Sequence, residues 1–203
     1  MDHAISDALL PKPLLESARA EFLAHGFNSA NVGRIARTVG MSKKTIYRYV
    51  SSKEELFLAV VASVVRGPAF VLASVDAHAP MEMRLTAYMK AYAELAFSAE
   101  ATGFYRLVVS ESVRFPAIAG LYIDTVRRFG AELLAEELAR HAASGEIRLA
   151  DPSRSATMLV AMVVADPLRD AALGLGSPPA GAALDVLVDE AVRTFLHGVV
   201  RAS

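Results

Sequence analysis

The chain has 203 residues, 54% of them apolar, and a net charge of −1, and its mean hydropathy is positive. It contains no cysteine, which excludes disulfides, thiolate metal sites and a cysteine nucleophile and suits a reducing cytoplasm. The length suits one or two domains, and the apolar surplus over one small core points to an oligomer interface, a ligand cavity or both. The charge is unevenly spread: residues 1–53 hold eight Lys/Arg and four Asp/Glu, a net of +4, whereas residues 54–203 carry a net of −5. From Phe22 to Lys53 there are six basic residues and no acid. A one-signed basic window on a near-neutral chain suits a nucleic-acid-reading head on a neutral body.

Residues 1–12 read as a loose arm. The opening MDHAISDALLPKP has no basic region before an apolar run and is not read as a signal peptide. Pro13 to His25 predicts a first helix with Leu15, Ala18 and Phe22 inward and Gly26 as its stop. Val32, Ile35, Ala36 and Val39 then fall at i, i+3, i+4 and i+7, one apolar face of a short helix. Asn31 suits its N-cap and Gly40 its C-terminal turn, with Met41 supplying the hydrophobic contact after the stop. Ser42 can cap a second short helix whose Ile46, Tyr49 and Val50 face inward, leaving Lys43, Lys44, Thr45, Tyr47 and Arg48 to point elsewhere. Two short helices joined by a glycine turn, the second basic outside, form the pattern of a helix-turn-helix that reads the major groove. Gly33 inside the first of them costs helix stability and removes a possible base-contacting side chain. Ser52-Lys53-Glu54-Glu55 is a capping-box sequence that starts a further helix, and Lys53 at its N-terminus reads as a phosphate anchor.

The run TIYRYVSSKEEL, preceded by VGRIARTVGMSK, resembles the DNA-binding domain of the tetracycline-repressor (TetR) family of transcriptional regulators. That resemblance covers about Pro13 to Val60, and VVSESVRFPAIAGLYID within 104–151 resembles one type of that family's C-terminal domain. It implies an all-α fold with a helix-turn-helix domain at 1–56 and a helical effector-binding and dimerisation domain at 57–203. Asn31 stands where the family more often has threonine. The DNA-contacting set implied is Asn31, Ser42, Lys43, Lys44, Thr45, Tyr47, Arg48, Tyr49 and Lys53. Lys43 and Arg48 are expected at or near base edges, Thr45 at a thymine methyl or a phosphate, and Tyr47, Tyr49 and Lys53 at phosphates.

Beyond the head the pattern predicts about nine helices in all and no period-two strand. The third helix of the motif is expected to run to about Ala77 with a kink at Gly67-Pro68. Leu56 to Val75 is also apolar enough to suggest a membrane span, but Arg66-Gly67-Pro68 interrupts it and no span is expected. Pro80 opens a helix to about Glu100, Thr102-Gly103 caps one over Phe104 to Arg114, and Phe115-Pro116 opens another to about Ala143. Asp151-Pro152 starts the next, to about Leu175 with a possible break at Asp166-Pro167, and the last spans about Ala180 to Val200.

Ten of the fifteen rings lie between Phe57 and Phe129. Phe70, Tyr88, Tyr92, Phe104, Tyr105, Phe115 and Tyr122 are the candidate lining of a pocket for a mostly apolar small molecule, although such a stripe can equally be plain core. Leu184, Leu187, Val188, Ala191, Phe195 and Val199 form a stripe at helical spacing and are the candidate two-fold interface, or else face their own core. No cofactor or metal is expected: the five histidines show no ligand spacing. Gly174-Leu-Gly176-Ser-Pro-Pro lacks both the third glycine and the preceding strand of a dinucleotide loop. Glu111 and Arg114 read as a helical ion pair, so no enzyme is expected. The expectation is a cytoplasmic, homodimeric repressor that a small molecule releases from a pseudo-palindromic double-stranded DNA operator. The alternative is a constitutive DNA-binding regulator with a merely packed body.

Overall fold

A computed structural model of the chain describes residues 10–65, 75, 76 and 78–199, with the side chains of Phe129 and Val199 outside that description. Among the described residues the chain is all-α. Ten α-helices run in the order α1 (Lys12–Ser29), α2 (Val32–Thr38), α3 (Lys43–Ile46), α4 (Lys53–Val65), α5 (Met81–Ala96), α6 (Ala99–Glu111), α7 (Pro116–Val126), α8 (Glu132–Ala143), α9 (Pro152–Leu173) and α10 (Ala182–Val199). A π-helical segment, Arg127–Ala131, joins α7 to α8. No described helix is long and apolar enough to cross a membrane.

The helices gather into two compact units, one made of 1–64 and 103–125, the other of 65–102 and 126–203. The expected boundary after residue 56 is therefore not where compactness divides the chain. In the first unit Leu14, Ala18 and Phe22 of α1 are buried with Ile35 and Ala36 of α2, Ile46, Val50, and Leu56, Phe57 and Val60 of α4. Leu14, rather than the expected Leu15, is the buried residue of the first turn, four residues before Ala18 and eight before Phe22, both inward as expected. The reason residues 103–125 belong here is aromatic packing: Phe57 meets Phe22, Phe27 and Phe104 edge-on at 5.2–5.7 Å, and Phe115 meets Phe27 at 5.7 Å. Each such pair is worth about 0.5–1.5 kcal/mol beyond its buried area.

In the second unit α9 lies against α8, and α10 against α5. Its core holds Leu85, Tyr88 and Met89 of α5, Leu134 and Leu138 of α8, Leu159 and Val163 of α9, and Leu184, Val188 and Val192 of α10.

Several boundaries differ from expectation for local reasons. The helix opened by Pro80 ends at Ala96, and Ser98 caps the next through a bond from the Ala101 N–H at 3.1 Å, so Thr102 and Gly103 lie inside α6. Pro167 is accommodated within α9, which runs unbroken from its Asp151 cap to left-handed Gly174. The expected kink at Gly67-Pro68 falls outside the described residues.

Candidate nucleic-acid interface

The head is assembled by side-chain bonds at each helix end. Gly26, inside α1, adopts φ 71° and kinks the helix there, a positive-φ geometry that costs other residues about 1 kcal/mol or more. Asn31 caps α2, its Oδ1 accepting from the Gly33 N–H at 2.7 Å. At the far end of α2 the Met41 N–H reaches Ala36 O at 2.9 Å and the Gly40 N–H reaches Arg37 O at 3.3 Å, with Gly40 at φ 65°. That paired arrangement is the Schellman stop expected of the glycine.

Ser42 caps α3. Its Oγ accepts from the Thr45 N–H at 3.0 Å and lies 2.9 Å from Thr45 Oγ1. The α-helical part of the recognition segment is only Lys43–Ile46; beyond it the Arg48 and Tyr49 N–H groups bond three residues back, to Thr45 O and Ile46 O. Ile46 and Val50 anchor this turn in the core. Lys43, Lys44, Tyr47 and Arg48 are exposed, as sequence spacing requires. Tyr49, expected inward, is 36% exposed, because the tightened turn rotates it off the Ile46–Val50 face.

Two of the six basic residues are already engaged within the head. Arg34 grips Glu21 at 2.6 Å through Nη2 and 2.9 Å through Nε, and also bonds Ser29 O at 2.9 Å. Glu21 further accepts from the Asn31 N–H at 2.8 Å. The Arg34 hydrogen bond, outweighing burial, holds the Glu21 carboxyl below its ordinary range. Lys53 Nζ donates to Asn28 O at 3.1 Å and Ala30 O at 3.4 Å and lies 4.7 Å from the Phe27 ring centre. The Ser52 cap is formed, Glu55 N–H to Ser52 Oγ at 3.1 Å, but the Glu55 carboxylate returns to the N–H and hydroxyl of Ser51. Charge counting missed both engagements, since Glu21 and Asn28 lie outside the motif's own spacing.

The six described candidate pocket rings are divided between the two units. Tyr88 and Tyr92 stack at 6.2 Å in the second unit, where the Tyr88 hydroxyl donates to Gly130 O at 2.6 Å. Burial pushes the Tyr92 phenol up to about 12 and Tyr88 higher still. Phe104 and Phe115 join the first unit's phenylalanine cluster. Tyr122 is buried and Tyr105 half-buried in that same unit, and Phe70 lies outside the described residues. A groove of about 460 Å³ in the second unit is lined by Arg127, Glu132, Asp151, Arg154 and Met158 among others, and by none of these rings. Glu111, read as half of a helical ion pair, accepts from the Asn28 N–H at 3.3 Å.

The candidate interface stripe on α10 is similarly placed inward. Leu184, Val188, Ala191 and Phe195 are buried within their own unit and Leu187 is partly so, because α5 covers that face. Val199 falls outside the described side chains.

Similarity to known proteins agrees with this architecture. A family profile described as "AefR-like transcriptional repressor, C-terminal domain" matches residues 83–198, and the profile of bacterial regulatory proteins of the tetR family matches residues 14–60. The HTH-type transcriptional repressor AcnR of Corynebacterium diphtheriae is 47% identical over 47 residues, which is 23% of this chain and only 25% of that protein. The fold is similar to a TetR-family regulator of Mesorhizobium loti (TM-score 0.76, 23% identity, 94% of this chain and 96% of that one). It is likewise similar to the flavonoid-responsive regulator FrrA (TM-score 0.77, 24% identity, 94% and 97%). The chain belongs to the TetR family of transcriptional regulators.

Proposed function

We propose that the protein is a homodimeric repressor released from a pseudo-palindromic operator by a mostly apolar small molecule. The observation that supports DNA reading is the turn Lys43–Val50, which holds Lys43, Lys44, Tyr47 and Arg48 outside while Ile46 and Val50 lock it to the head. Residues 1–56 supply the reading head in this proposal and 57–203 the responding body. In this proposal Arg48 is the fork-shaped donor suited to guanine, and Tyr47 and Tyr49 meet phosphates. Pairing two heads multiplies the few contacts of one and requires half-sites a helical turn or more apart.

A fold neighbour that is flavonoid-responsive supports an aromatic effector in this architecture. A constitutive regulator is the second reading. It is favoured by the tight engagement of Tyr88 and Tyr92 with Gly130 and of Phe104 and Phe115 with the head rings, which leaves these side chains acting as core.

In vitro selection of bound duplexes, followed by a release screen on the selected site with direct binding of each hit, tests both. A compound that binds the protein and lowers operator affinity 5- to 150-fold, the usual range of coupling, supports the effector. Binders that leave operator affinity unchanged support the constitutive reading, and failure to enrich any duplex overturns both.

A further inference from the structure

Gly33 is the second residue of α2, and a Cβ built on it would lie 2.6 Å from Lys43 Cε and 3.2 Å from Lys43 Nζ. The stem of Lys43, the first residue of α3, therefore crosses the backbone of α2 at the one place where a side chain is missing. We infer that Gly33 is a positioning residue that seats Lys43 across α2 as a DNA-backbone contact rather than a base reader; this rests on the DNA-binding reading proposed above.

In a helix-turn-helix the second helix enters the groove while the first crosses the sugar-phosphate backbone. A lysine that projected from α3 would carry its ammonium toward base edges. Lying over α2, it places a compact point charge on the helix that faces phosphates. A side chain at position 33 would push the end of the Lys43 stem off this seat, because the nearest atom lies inside the contact limit and Asn31 Oδ1 stands 2.9 Å from the same point. The glycine that appears in the sequence as a lost contact is thus the condition for a different one.

The test uses the full-length protein on a duplex selected by the wild type, with affinity measured from 50 to 200 mM salt and base preference by reselection. Lys43→Met keeps an unbranched stem over Gly33 and removes the charge. It is expected to lower the slope of log affinity against log salt by about 0.9 for each head, with base preference unchanged. Gly33→Ala is expected to give the same loss of slope, and no further loss when combined with Lys43→Met. Thermal unfolding of each variant separates a misplaced lysine from a damaged Asn31 cap. A changed preference at one base pair in Lys43→Met, with the slope kept, overturns the phosphate assignment. Wild-type slope in Gly33→Ala, or additive losses in the double variant, overturns the role of Gly33. A wild-type protein that binds no duplex overturns the DNA-binding reading itself, and this inference with it.

Discussion

A lysine at the first turn of a helix beside a recognition segment counts as a phosphate anchor until its neighbours are known. Lys53 donates to two carbonyls at the end of α1 and covers the Phe27 ring, so its charge fastens α4 to α1. Lys53→Ala is expected to lower stability to denaturant by about 1–2 kcal/mol while leaving the salt slope of operator binding near the wild-type value. Arg48 is the opposite case: exposed, with Ile46 and Val50 buried beneath its turn. Arg48→Ala is expected to relax preference at one base position by about 1–3 kcal/mol, read by reselection, with no change in unfolding midpoint. The caps of this head were legible residue by residue, because Asn31, Gly40, Ser42 and Ser52 act within four residues of themselves. The Arg34–Glu21 and Lys53–Asn28 bonds were not, since they join positions 13 and 25 residues apart that no local spacing links.

Between elements, a buried ion pair joins α5 to α8. Arg84 pairs with Glu137, Nε to Oε1 at 2.6 Å and Nη2 to Oε2 at 3.1 Å, and its Nη1 donates to Val75 O and Asp76 O at 3.0 and 2.8 Å. Arg140 and His141 also contact Glu137, and His141 contacts Glu146. Burial would raise the Glu137 carboxyl, but hydrogen bonds from Arg84 and Arg140 outweigh it and hold it down to about 2, from an ordinary 4.5. Because the folded value is depressed, the stabilisation is complete above about pH 4.5 and is lost as pH falls toward 2. Unfolding midpoints measured between pH 6 and 3 should therefore fall with acid in the wild type, and fall less in an Arg84→Met/Glu137→Leu pair. Arg84→Met alone strands the carboxylate and is expected to cost about 3 kcal/mol, the low end for a broken buried pair because Arg140 remains. Sequence periodicity found α5 and α8 but not this bond, whose partners are 53 residues apart.

For the whole molecule, the direction of a helical stripe was the part the sequence left open. Both readings of Leu184 to Phe195 were compatible with its spacing, and packing against α5 turned the stripe inward. What α9 and α10 leave exposed is different: Met158, Met162 and Val186 are large apolar side chains in water. These are the side chains a two-fold partner would cover in the proposed dimer. Met158→Glu is expected to give a monomer by sedimentation at micromolar concentration, helical by circular dichroism and with operator affinity lowered at least tenfold. A dimer that persists in Met158→Glu and Met162→Glu would place the seam elsewhere.

The division of the chain into 1–64 with 103–125, and 65–102 with 126–203, has a consequence for how the protein folds and how it can be cut. The first unit is not complete when the ribosome has made its helix-turn-helix; Phe104 and Phe115, which pack on Phe57 and Phe27, are still to come. Completing it requires closing a loop through residues 65–102, an entropic cost that grows only slowly with loop length but must be met before those contacts reward it. A fragment ending at residue 64 should therefore be helical yet markedly less resistant to urea than the same segment in the full chain, and no single cut would release either unit whole.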